Sequence, residues 1–125
     1  MTDYHSIGRW PLAGDLPSAG TARALVREHL PGHGRLDDIE LVVSELVANA
    51  VKYGRGGVEV AVATAPDALR VSVASVAGET EPQVRPATAH EPGGRGLAIV
   101  DTLADRWGWH REGDRIAVWA EFDHA

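Results

Sequence analysis

From Leu36 to Gly54 the chain reads LDDIELVVSELVANAVKYG, and this stretch constrains the fold more than any other. Its apolar residues Leu36, Ile39, Val43, Leu46, Val47 and Ala50 recur with the 3.6-residue period of a helix that lays one broad face on a sheet. Glu45 and Asn49 are four residues apart and therefore share a face, Asn49 at the margin of the apolar arc and Glu45 just outside it. A carboxamide and a carboxylate so placed suit a magnesium-nucleotide site. Asn supplies a hard oxygen ligand to Mg²⁺, and Glu orients or deprotonates an attacking group. An isolated E-x-x-x-N is more often a surface Glu beside a border Asn, so the pair gains meaning only from the glycines farther along the chain.

The flanking sequence supplies the other elements. A strand is predicted between His5 and Leu12, then a helix opened by Pro17-Ser18, with Ser18 as N-cap and Ala22, Leu25, Val26 and Leu30 as its buried stripe. Pro31-Gly32 ends that helix, and Gly54-Arg55-Gly56-Gly57 closes the next one and turns the chain. Val58 to Ala63 and Leu69 to Val76 alternate apolar residues with others around Ala65-Pro66-Asp67-Ala68, the pattern of an antiparallel hairpin. Periodicity then lapses from Ala77 to Gly93, a proline- and glycine-containing stretch long enough to be a disordered segment or a functional lid. Gly94-Arg95-Gly96 leads into a short helix to Asp105, and Trp107 to Arg111 and Arg115 to Phe122 form two last strands around Glu112-Gly113-Asp114. This order predicts an α+β fold: a two-layer sandwich with helices on one face of a mostly antiparallel sheet.

Composition narrows the function classes. The 125 residues suit one domain with one core. No apolar run approaches the roughly 18 residues of a membrane span, and the N-terminal MTDYHSIGRW has no signal-peptide core, so a cytoplasmic location is expected. Without cysteine there is no disulfide, thiolate zinc site or thiol nucleophile. A formal net charge of −6, with no basic cluster, argues against nucleic-acid binding. Pro31-Gly32 separates His29 from His33 and breaks the helix that would aim both at one metal. Trp107, Trp109 and Trp119 are expected to pack the sheet or its edge, with a partner-binding patch as the alternative.

Glu45-Leu46-Val47-Ala48-Asn49-Ala50, the hairpin, the loop, Gly93-Gly94-Arg95-Gly96-Leu97-Ala98-Ile99-Val100 and the closing Ala117-Val118-Trp119 together resemble the GHKL-type ATP-binding fold. Within it the chain is most similar to the small anti-sigma factor kinases of the RsbW and SpoIIAB type, over roughly residues 8 to 122. The resemblance implies ATP with Mg²⁺ as cofactors, Asn49 as the Mg²⁺ ligand and Glu45 as general base. It also implies Gly94 and Gly96 as glycines of close phosphate approach, where taken alone they would pass for a turn and helix cap. Arg95 either meets a phosphate or faces solvent. The implied partners are a sigma factor or an anti-anti-sigma protein of STAS type, and a homodimer is expected.

Two positions depart from the family pattern. Where the family carries the Asp that accepts the adenine amino group and the turn after it, this chain has Ser75, Ala77 and Glu79; where a Thr precedes the Val-Trp of the last strand, it has Ala117. Loss of a charge-assisted hydrogen bond weakens binding by about 1.5 to 3 kcal/mol, one to two decades of affinity. The expectation is therefore a regulator that binds ATP weakly or not at all and acts by sequestration. The alternative is an active serine kinase in which Ser75 and a water restore adenine recognition; a sensor domain detached from a histidine kinase is remoter, because no phosphoacceptor helix is present.

Overall fold

The structure is a computed structural model that describes residues 3–76 and 96–124. The chain runs β1 (His5–Leu12), α1 (Ser18–His29), α2 (Leu36–Tyr53), β2 (Arg55–Thr64), β3 (Ala68–Val76), α3 (Gly96–Leu103), β4 (Arg106–Glu112) and β5 (Arg115–Asp123). Among the described residues the strands form one sheet in the order β1-β2-β3-β5-β4, with every neighbouring pair antiparallel. The hairpin β4–β5 thus returns after α3 to set β5, not β4, against β3. The predicted α+β layering is what the chain adopts. The expected lid from Ala77 to Gly93 lies outside the described residues.

The period-two alternation of the strands sorts their side chains. Val58, Val60, Val62, Val71, Val73, Ile116, Val118, Ala120 and Phe122 face the helices and form the core with them, while the intervening residues face away. Against this surface lies α2, flanked by α1 on one side and α3 on the other. Because three neighbours cover it, α2 buries more than a stripe: Glu40, Val42 and Ser44 are buried alongside Ile39, Val43, Leu46 and Val47. Burying the Glu40 carboxylate calls for a partner, and Arg27 of α1 donates to it through Nη2 at 3.0 Å and Nε at 3.3 Å.

Several local expectations change. Ser18 is the first residue of α1, not its N-cap; Pro17 takes that place. The Ser18 hydroxyl instead accepts the N–H groups of Gly14 and Asp15 and donates to the Asp15 carboxylate at 2.9 Å, closing the loop before the helix. Leu25 is only half-buried. Of the predicted turn after α2, Gly54 alone is the cap: Arg55 already pairs with Val76, and a bulge before Val58 is accommodated by Gly56 at φ +71°.

Arg35, immediately before α2, ties the helical layer together. Its Nη2 donates to the Leu103 carbonyl at 2.7 Å, its Nη1 donates to the Asp105 carboxylate, and its guanidinium lies 5.1 Å from the Phe122 ring centroid. The end of α3 is thereby fixed beside the beginning of α2. The two helices pack against each other.

His33 in the α1–α2 loop meets His124 beyond β5, Nε2 to Nδ1, at 3.2 Å. His33 Nδ1 accepts the Arg35 N–H, so its proton is on Nε2 and is donated to His124; His124 Nε2 in turn donates to the Ala65 carbonyl at 3.1 Å. Protonating His33 at Nδ1 would set two donors face to face. Burial, and then the neighbouring His124 and Arg35, lower the His33 pKa below its ordinary 6.5. A lowered folded-state pKa means that the unfolded chain binds the proton more readily, so this contribution to stability is full above 6.5 and is lost as pH falls through the folded pKa. The urea midpoint should therefore fall between about pH 7.5 and about pH 5.5, and His33→Gln, which keeps a donor but does not titrate, should flatten that fall. Equal slopes for the two proteins would contradict the assignment.

Candidate functional site

Glu45 and Asn49 sit one turn apart on α2, Glu45 half-buried and Asn49 9% exposed. Neither side chain forms a hydrogen bond or ion pair with a described residue. No enclosed side-chain nitrogen or oxygen among the described residues is left without a partner, so the amide of Asn49 faces outward from the described core although the residue as a whole is nearly enclosed. A carboxamide held at the edge of a core and unused by the described fold is suited to an external ligand.

Ser75 lies near the same end of α2. It is buried, it belongs to the helix-facing row of β3, and its hydroxyl points at the helix terminus: a Cβ on Gly54 would come within 2.8 Å of Ser75 Oγ and 2.7 Å of the Ala50 carbonyl. Only glycine lets the end of α2 and the end of β3 approach this closely. From the other side α3, eight residues or about 12 Å of helix, packs against α2, with its last residues latched to Arg35. Unpaired N–H groups at such a helix start favour an anion. Gly94 and Arg95 fall outside the described residues, as do Ala77 and Glu79.

Ala117 is not part of this cluster. In the register of β3 and β5 it stands opposite Ala74, and both belong to the row facing away from the helices; the residue opposite Ser75 is Ile116, which is buried. A one-residue offset along a strand reverses the face, so no substitution at Ala117 reaches a pocket beside α2. Of the pair Ser75–Ile116, only Ser75 carries a polar side chain.

The remaining candidates scatter. His29 packs on Trp10, ring centroids 4.6 Å apart, and its Nδ1 lies 2.8 Å from the Leu25 carbonyl, apart from the His33–His124 pair. Among the described residues no three His, Cys, Asp or Glu side chains converge as a metal site. Any Mg²⁺ at Asn49 would need phosphate oxygens to complete its shell. Trp107 and Trp109 pack on the helix side, whereas Trp119 lies on the outer face across Gly108 and under the Arg70 guanidinium. Sequence reasoning missed Arg35: nothing in its spacing marks it, because its partners lie about seventy positions away.

Residues 15–122 match the family of histidine kinase-like ATPase domains. No curated protein matches the sequence significantly. Among solved structures, the RsbU and RsbW domains of Rv1364c from Mycobacterium tuberculosis share the fold, with a TM-score of 0.69 and 24% identity over 92% of this chain. The chain spans 32% of that protein's length.

Proposed function

The chain belongs to the histidine kinase-like ATPase family, and from that premise we propose that it is a transcription regulator of the anti-sigma-factor type, retaining the phosphate half of a magnesium-nucleotide site and lacking most of the base half. The observation that carries this reading is the contrast between the Asn49 amide, which no described residue engages, and the Ser75–Ile116 pair. Asn49 Oδ1 is the ligand offered to Mg²⁺, Glu45 the group that orients or deprotonates a hydroxyl, and the glycines leading into α3, Gly94 and Gly96 with Arg95 between them, the site for phosphate oxygens. What ATP would supply, when bound, is a transferable γ-phosphoryl group with Mg²⁺ to neutralise it. At the base end a serine hydroxyl offers one neutral acceptor where a carboxylate would give a charge-assisted bond, and Ile116 offers none.

Such a protein controls its target by contact. The partner class is a sigma factor or an anti-anti-sigma protein of STAS type, met as a folded protein surface in the cytoplasm; the net charge of −6 disfavours a phosphate backbone. RsbW, the name carried by one domain of the structural neighbour, points the same way. No helix among the described residues is long and apolar enough to cross a membrane. The intact Glu45–Asn49 pair favours a second reading, an ATP-dependent serine kinase acting on the anti-anti-sigma partner.

Calorimetric titration separates the two. If the base contributes little, Mg-ATP and Mg-tripolyphosphate should bind with similar, weak affinity, and Asn49→Ala should remove both; Ser75→Asp should tighten ATP alone, by about 10- to 100-fold. Micromolar ATP binding by the unaltered chain would contradict the loss of base recognition. In that case the kinase reading is tested by Glu45→Ala, which should abolish phosphate transfer to the cognate partner by a protein that still folds.

A further inference from the structure

Eight residues are too few for a helix to sustain itself in water, so α3 stands where its neighbours put it. Its C-terminal half is held by two side chains from other elements. Trp107 of β4 donates its indole N–H to the Asp101 carboxylate at 2.8 Å, and Arg35 donates to the Leu103 carbonyl at 2.7 Å. The carbonyl that Arg35 takes is one of those that a helix end leaves without a partner, and a cation there also meets the negative end of the helix dipole.

Arg35 is itself fixed on several sides. Its backbone N–H donates to His33 Nδ1 at 3.0 Å and its carbonyl accepts the Ile39 N–H at 3.0 Å, which pins the stem at the N-cap of α2. The guanidinium lies 5.1 Å from the ring centroid of Phe122, a fully buried residue of β5, and 3.6 Å from the Asp38 carboxylate. Its other acceptor, Asp105, also takes the Asp123 N–H at 2.8 Å. One planar fork thus joins the start of α2, the end of α3 and β5. A lysine, with one compact ammonium, cannot reproduce that geometry.

A rod about 12 Å long that turns by about 10° at one end moves by about 2 Å at the other. A binding site tolerates only about 0.5 Å. We propose that Arg35 is a positioning residue for phosphate binding: by holding the end of α3 against α2 it sets where the beginning of α3 stands, and it acts through that helix rather than on the ligand. This role rests on the reading in which phosphate oxygens meet the start of α3, and adds to it a residue outside the site.

Hydrogen exchange and amide shifts read the two parts of the proposal in one protein. Without ligand, Arg35→Met should speed exchange of the α3 amides by about 10-fold while those of α1 keep their rates. Mg-tripolyphosphate titrated into the same protein should bind about 10-fold more weakly than to the unaltered chain, with Arg35→Lys between the two. Arg27→Met, which breaks the Arg27–Glu40 pair between α1 and α2, controls for lost stability and should leave tripolyphosphate affinity unchanged. Should Arg35→Met fail to fold, Asp105→Asn decides: it weakens the latch at a partly exposed position and should move both readouts in the same direction. Unchanged α3 exchange, faster exchange with unchanged affinity, or an equal loss of affinity in Arg27→Met would overturn the positioning role. No tripolyphosphate binding by the unaltered chain would overturn the phosphate reading, and this role with it; that failure is seen before any substitution is made.

Discussion

Everything else in this molecule depends on the burial of α2 between the sheet and two other helices. Eight of its eighteen residues are buried, and the apolar ones among them meet Val58, Val60, Val71, Val73 and Phe122 from the strands. Each fully buried aliphatic or aromatic side chain contributes about 1.5 to 3 kcal/mol, so this one contact outweighs any ion pair on the surface. The same enclosure gives the candidate site its character. Asn49 is fixed because α2 is fixed, yet no described residue takes up its amide, because the helix emerges from the core just there.

A second layer of order lies on the far side of the sheet and is electrostatic. Glu121 is buried there, and burial works against its charge. Hydrogen bonds from Arg106, Arg70 and Tyr4 outweigh that penalty and hold the carboxyl below the usual carboxylate range. In return the Tyr4 hydroxyl, partly buried and donating to Glu121, is pushed up to about 12. Arg70 also stacks on Tyr4 and Trp119, both at 4.8 Å. The outer face is therefore held by charge and aromatic stacking where the inner face is held by packing. Ala117 belongs to this outer surface, away from the face that α2 covers.

How much of this was legible from residues alone varied with the range of the interaction. Element order, the hairpins and α2 were readable because they rest on local periodicity and turn chemistry: the 3.6-residue recurrence of Ile39, Val43, Leu46 and Val47, and the alternation along Val58 to Ala63. The burial of Glu40, Val42 and Ser44 was not, since a single apolar stripe assumes one neighbour and α2 has three. Strand register was hidden as well. Ala117 and Ile116 are adjacent in sequence, and only the pairing of β5 with β3 decides which of them stands opposite Ser75. The Arg35 latch and the His33–His124 pair join positions 68 to 91 residues apart, and no local pattern records such a contact.

The central claim is spatial: Asn49 and the start of α3 border one pocket, on the helix side of the sheet. Paramagnetic broadening by manganese(II) tripolyphosphate tests it most directly, because Mn²⁺ takes the same hard oxygen ligands as Mg²⁺ and even weak binding leaves a signature on nearby amides. The account predicts that the Asn49 side-chain amide and the Gly96 backbone amide broaden together while the Trp119 indole, on the opposite face, stays sharp. Broadening centred elsewhere, with Asn49 untouched, would contradict it.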